Sequence, residues 1–210
     1  GRSICSGVTK NTTAKITAQH GLIYDKLLKN AGAEKAKMYL EANQSALKKY
    51  FELCKKIDCK FEEKTNYVYS LDDRRKLERE ADALRKIGFN ADVSETTELP
   101  FKTAGAVSFA HQAQFHPLAF LAQIVPQLNI YEHSFVKELT KNTAVTDRAR
   151  VTFDKVIFAT HFPIDNKHGL YFLKMYQHRS YVIAIENAKK MNGMYVDETK
   201  KGISFRSYDD

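Results

Sequence analysis

A short apolar run at residues 156–159, VIFA, constrains this chain more than any other stretch. Acidic Asp154 stands before it, and the small polar Thr160 closes it, with His161 and Pro163 beyond. Apolar residues in direct succession, bounded by polar ones, are the pattern of a parallel strand buried on both faces. Open α/β sheets bind ligands outside the carboxyl ends of such strands. The reading predicts a buried strand over residues 152–160 that presents Ala159 and Thr160 to a ligand.

The opening of the chain adds to this. Residues 6–17, SGVTKNTTAKIT, hold four threonines, two lysines, one glycine and one asparagine, and Gln19, His20 and Gly21 follow. Hydroxyls, amides and a freely turning backbone donate to phosphate oxygens, and lysines add charge. The same composition also fits a solvated loop with helix-capping threonines.

With 210 residues, 43% of them hydrophobic, the chain can bury one large core or two small ones. No apolar run reaches the roughly twenty residues of a membrane span, and nothing at the N-terminus reads as a signal peptide. A soluble, cytoplasmic protein without a membrane partner is the expectation. Cys5, Cys54 and Cys59 form no Cys-x-x-Cys pair and have no histidine in ligand spacing, so they read as reduced thiols rather than zinc ligands. His111, His116, His133 and His168 show no metal spacing either. The net charge of +8 raises the question of nucleic acid. The lysines are interspersed with acids and never form a basic stripe with interleaved aromatics, which argues against it.

Helical spacing predicts a short helix at residues 22–28, a stop at 30–32, and a helix of about six turns over 34–57. A strand at 61–70 precedes a second helix whose Leu77, Ala81, Leu84 and Ile87 are in phase, with Gly88 as its stop. Strand-like segments follow at 89–93 and 104–109, and Pro117 opens a helix ending near 128. Residues 129–139, 143–146 and 150–159 are strand-like, and 170–208 reads as antiparallel strands joined by loops at 187–193 and 197–202. The class predicted is α+β: helices packed on a mostly antiparallel sheet, plus a partial nucleotide-binding α/β layer.

In this order the segments resemble the FAD-dependent oxidoreductases of the D-amino-acid oxidase and glycine oxidase superfamily. Residues 6–16 are similar to the family segment that lines the flavin and its pyrophosphate. The resemblance implies cofactor contacts at Gly7, Thr9, Lys10, Asn11 and Thr12, and then at Thr13, Ala14, Lys15 and Ile16. Residues 114–121, QFHPLAFL, look like the family's proline-led helix. Residues 131–139, YEHSFVKEL, look like the strand that meets the adenine near Val136, and residues 153–160 look like the family strand ending at Ala159 and Thr160. The branch that looks most similar is bacterial and often carries a C-terminal Rieske iron–sulfur domain; no Cys-x-His pair occurs here. The family's Gly-x-Gly-x-x-Gly turn, which holds the pyrophosphate, is also missing from the sequence. His161 stands where many relatives have glycine. The chain thus reads as an internal piece, with residues 1–21 and 129–164 as a partial FAD-binding domain and residues 22–128 and 165–210 as a substrate-binding domain. By itself it is expected to bind FAD weakly or not at all and to be inactive.

In such enzymes the flavin carries the hydride chemistry and the protein orients the substrate. An arginine fork matches a substrate carboxylate, which makes Arg179 and Arg206 the candidates for substrate contact, with His20 as a third. The competing reading for each arginine is a strand residue whose stem packs on aromatic neighbours. No residue is singled out as catalytic, and no Ser/His/Asp or Cys/His arrangement stands out. The expectation is a fragment of an enzyme that oxidises a C–N bond of a small amine or amino acid. The alternatives are a non-catalytic binding module that lost its cofactor site and, behind it, a basic nucleic-acid-binding protein.

Overall fold

The computed structural model describes residues 3–162, 164, 169–199 and 202–208; Pro163 and His168, singled out above, lie outside them. In chain order the elements are strand β1 (Lys15–Ile16), helix α1 (Tyr24–Cys54), β2 (Glu62–Ser70), α2 (Arg74–Lys86), β3 (Val93–Ser94), β4 (Gly105–Gln114), α3 (Pro117–Ile124), β5 (Val136–Leu139), β6 (Thr143–Thr146), β7 (Arg150–Thr152), α4 (Tyr171–Lys174), β8 (Met194–Asp197) and β9 (Ser204–Phe205). Contacts divide them into a larger unit, Thr13–Gln127 with Glu186–Asp210, and a smaller one, Gly1–Thr12 with Leu128–Ile185. Residues 13–21 group with the larger unit and residues 169–185 with the smaller.

Helix signals in the sequence translate directly in the larger unit. α1 is two helical segments meeting at Gly32, whose φ of 83° belongs to the left-handed region that glycine enters freely. Ala36, Leu40 and Leu47 are buried along its second segment, at the spacing of one helix face. The first turn is capped from α2, where the Glu80 carboxylate accepts from the Tyr24 and Asp25 amides at 2.8 Å each. α2 has its own cap in Asp73, which accepts from the Lys76 amide at 3.0 Å. It ends in a Schellman motif: the Phe89 amide reaches Leu84 O, the Gly88 amide reaches Arg85 O, and Gly88 has φ of 86°. α3 begins at Pro117, with His116 Nδ1 accepting from the Ala119 amide at 3.1 Å.

The large sheet runs β1-β4-β2-β8-β9, with β3 also on β4. β2 and β8 are parallel, and the other pairs are antiparallel. The α+β class with a mostly antiparallel sheet is therefore as the sequence predicts. β2 and β4 carry a bulge: between the pairs Lys64↔Gln112 and Asn66↔Phe109, Thr65 faces both Ala110 and His111, and His111 has φ of 56°. One face of the sheet packs on the helices through Val107 and Phe109, in a core with Tyr24, Leu40, Leu77 and Leu84. The other face gathers Tyr69, Leu99, Ala106 and Tyr195. There Tyr67 stacks on Tyr195 at 4.9 Å, close enough that a Cβ on Gly193 would meet the Tyr67 ring at 2.6 Å.

Two strand expectations are corrected. The buried parallel strand over 152–160 is not formed. The chain leaves β7 after Thr152, β7 pairs antiparallel with β6, and residues 155–159 make no ladder. Ile157 is 89% exposed, and Ala159 and Thr160 lie in exposed coil rather than at a strand's end. An apolar run becomes a buried parallel strand only between flanking strands and under covering helices; among the described residues β7 pairs with β6 only. The antiparallel reading of 170–208 holds only at its end, for β8 against β9. β8 itself joins β2 in parallel, α4 is one helical turn, and residues 175–185 are exposed without a ladder. No helix among the described residues is long and apolar enough to cross a membrane.

Candidate functional site

Segments far apart in sequence meet at one end of the large sheet. β1 sets Lys15 opposite Gln114, the last residue of β4, and β9 delivers Ser204 and the residues after it. Lys15 Nζ donates to the Tyr195 carbonyl at 3.0 Å and to Ser204 Oγ. Gln114, 1% exposed, donates through Nε2 to Glu62 Oε1 at 3.0 Å and to the Ser207 carbonyl at 2.8 Å. The Arg206 guanidinium lies over the Tyr208 ring, 5.4 Å from its centroid. Arg206 Nη1 and Gln114 Oε1 are both buried without a hydrogen-bond partner among the described residues.

The charges explain what this end of the sheet attracts. Burial, and then the charge of Arg206, lower the Lys15 ammonium to about 8. Burial also weighs on Arg206, against the pull of Tyr208 and Glu62, but a guanidinium stays charged. Neither cation forms an ion pair among the described residues, while Glu62 pairs with Lys64 at 2.9 Å. An anion placed between Lys15 and Arg206 would relieve both, and a carboxylate offers the two oxygens that a guanidinium fork matches.

Of the site residues proposed from sequence, Lys15 and Arg206 come together here. Gly7, Thr9, Lys10, Asn11 and Thr12 lie in the smaller unit around a single 3-10 turn, where Asn11 Nδ2 donates to Gly7 O. Thr13, Ala14 and Ile16 belong to the larger unit, with Ala14 buried at φ of 56°. Val136 opens β5 and is half-buried; Thr160 Oγ1 donates to Phe162 O at 2.8 Å. Arg179 is exposed in coil of the smaller unit, so its expected strand setting is corrected. His20 is exposed with Nδ1 2.8 Å from the Tyr39 hydroxyl. The backbone around it is held by buried amides: Gln19 Nε2 donates to Val107 O, Asn66 Nδ2 donates to Gln19 Oε1, and the Ala18 amide donates to Gln112 Oε1.

Sequence reasoning missed a second feature, a pocket of about 400 Å³ beside the Tyr67–Tyr195 stack. Its wall is fixed by Glu98, which accepts from the Asn192 and Gly193 amides at 2.9 and 3.0 Å and from the Tyr195 hydroxyl at 3.0 Å. Burial would raise the Glu98 carboxyl, but these donors hold it below its ordinary value. A lone glutamate in a turn carries no sequence signal of such a partner set.

No family model matches the sequence. The chain is 31% identical, over 97% of its length, to a protein of Bacillus subtilis (strain 168) that bears the name of a Rieske 2Fe-2S iron-sulfur protein, YhfW. It spans 43% of that protein's length. A solved glycine oxidase of Bacillus cereus ATCC 14579 aligns with a TM-score of 0.41 and 18% identity, over 73% of this chain and 45% of the other.

Proposed function

We propose that this chain is part of an FAD-dependent oxidoreductase acting on a C–N bond of a small amine or amino acid, and that Arg206 with Lys15 receives the substrate's carboxylate. The observation that carries the reading is the pairing of two cations that form no ion pair among the described residues, one with a buried and unpartnered Nη1, at the end of a sheet. The order of the segments that resemble the oxidase superfamily supports it. FAD, when bound, would accept the hydride; orienting the substrate falls to this chain's cations.

The residues present do not complete a flavin site. The sequence lacks the Gly-x-Gly-x-x-Gly turn, and the first turns of α1, α2 and α3 are already capped by Glu80, Asp73 and His116. A pyrophosphate would have to displace these groups, so no step through the flavin is assigned to this chain. The iron–sulfur cluster in the relative's name does not fit either: a Rieske centre takes two cysteines and two histidines, and the sequence has no Cys-x-His pair.

The test is amide chemical-shift mapping with glycine and N-methylglycine. Shifts should appear at Lys15 and residues 202–208, saturate in the millimolar range, and vanish in Arg206→Ala. Shifts that persist in Arg206→Ala would end the proposal. The capped helix ends favour a second reading, a binding module without cofactor. Inorganic phosphate shifting the same amides as strongly as the amino acids would select it.

A further inference from the structure

We propose that the pocket beside the Tyr67–Tyr195 stack binds a methylated ammonium group, a cation that carries no N–H. The pocket lies wholly within the larger unit, and the proposal stands independently of the Lys15–Arg206 reading.

The cavity of about 400 Å³ falls in the range of small-molecule sites, roughly 300–1,000 Å³. Among the described residues lining it, Glu98 is the only charged one, and no lysine or arginine answers it. The groups that hold Glu98 are neutral: the Asn192 amide and Nδ2, the Gly193 amide and the Tyr195 hydroxyl. Burial works against the charged form, but these donors outweigh it, so the carboxylate keeps its charge at neutral pH. Burial above all pushes the Tyr195 hydroxyl up to about 12, so it stays a donor and adds no second negative charge. The pocket therefore holds one fixed negative charge without a counterion of its own.

The same hydrogen bonds decide which cation fits. Oε1 accepts from Asn192 Nδ2 at 2.9 Å and from the Asn192 amide at 3.2 Å. Oε2 accepts from the Asn192 amide at 2.9 Å, the Gly193 amide at 3.0 Å and the Tyr195 hydroxyl at 3.0 Å. A carboxylate offers about four lone-pair sites, and these donors occupy them. A primary ammonium would have to displace one of them or leave its own N–H groups unpaired and desolvated. A methylated ammonium needs no acceptor, only negative charge and aromatic surface. The rings supply that surface: Tyr67 and Tyr195 stack with centroids 4.9 Å apart and planes 10° apart. Gly193 lets rings and carboxylate share one wall, because a Cβ there would meet the Tyr67 ring at 2.6 Å and the Tyr195 ring at 3.1 Å.

Amide chemical-shift titration with tetramethylammonium chloride, at ionic strength held constant with sodium chloride, tests this. Shifts should appear at Tyr67, Glu98 and residues 192–195 and saturate in the millimolar range. Methylammonium should bind several-fold more weakly, and the uncharged 2,2-dimethylpropan-1-ol should give no saturable shift. Glu98→Gln should weaken tetramethylammonium binding by about tenfold. Tyr67→Leu leaves every Glu98 donor in place and should weaken it several-fold, while Tyr67→Phe keeps the ring and should bind as wild type. That pair reads the site even where Glu98→Gln loosens the loop at residues 192–193. Arg206→Ala should leave the titration unchanged, and its loss there would assign the cation to the Lys15–Arg206 end instead. No saturable shift around Tyr67 and Gly193, or full affinity in Tyr67→Leu, would overturn the site. Equal affinity for methylammonium and tetramethylammonium would overturn its preference for methylated cations.

Discussion

Tyr24, Leu77 and Leu84 of the larger unit are fully enclosed, whereas no described residue of the smaller unit is buried, and its Ile157, Tyr181 and Ile183 are 89%, 83% and 82% exposed. Both units contain apolar residues in strand or helix phase. What separates them is a second surface: α1 and α2 cover one face of the large sheet, while among the described residues the meander of β5, β6 and β7 is held by its own hydrogen bonds and turns. Enclosing a leucine gives about 1.5–3 kcal/mol, comparable to the cost of ordering one residue's backbone and side chain. Periodicity creates a face, but stability comes from what meets it.

The largest test of this contrast is truncation in each unit. Leu84→Ala should cost about 2–5 kcal/mol in urea unfolding of the whole chain, and Ile157→Ala should stay within about 0.5 kcal/mol. Equal costs would break the comparison. Next come the hydrogen-bonding caps. Glu80→Ala strips a buried acceptor from the Tyr24 and Asp25 amides and should cost about 1–3 kcal/mol. Thr146→Ala removes an exposed acceptor from the Arg148 and Ala149 amides and should cost less than about 1 kcal/mol. Hydrogen exchange at Tyr24 and Asp25, faster in the first variant only, locates the loss.

The smallest effect is titration. With Lys15 lowered to about 8, the unfolded chain binds more protons between that pH and the ordinary lysine value near 10.5. Stability due to this group therefore rises with pH across that window, by about 1 kcal/mol or less once solvent screening is allowed for. Urea midpoints of wild type and Lys15→Met should converge as the pH passes from 7.5 to 10. A carboxylate held by the ammonium should weaken over the same range.

Local signals account for what was legible in the sequence. The in-phase apolar residues of α2, its Gly88 stop, the break near Gly32 and Pro117 at the start of α3 each act within a few residues, and each appears in the fold. The parallel pairing of β2 with β8 and the meeting of Lys15 with Ser204, 189 residues apart, depend on long-range closure that no local pattern encodes. Residues 155–159 and 175–185 failed for the opposite reason: their local pattern is strand-like, and among the described residues no strand pairs with them. The aromatic setting of Arg206 in the sequence points to a packed guanidinium, and Arg206 does lie over Tyr208, but nothing in that setting encodes its cationic neighbour Lys15.

The bulge opposite Thr65 acts as a phase change in β4. Side chains alternate along a strand, so Gln112 and Gln114 would otherwise point away from the face that Val107 and Phe109 share. The extra residue among Ala110 and His111 restores them to it, at the level of Lys64 and Glu62. One strand therefore presents hydrocarbon to the helices over its first half and amides over its second. The place where Gln114 meets Glu62 and Ser207 is set by the number of residues in the strand rather than by any side chain at the bulge. Removing one residue there would leave the composition nearly unchanged and turn that end of the sheet inside out.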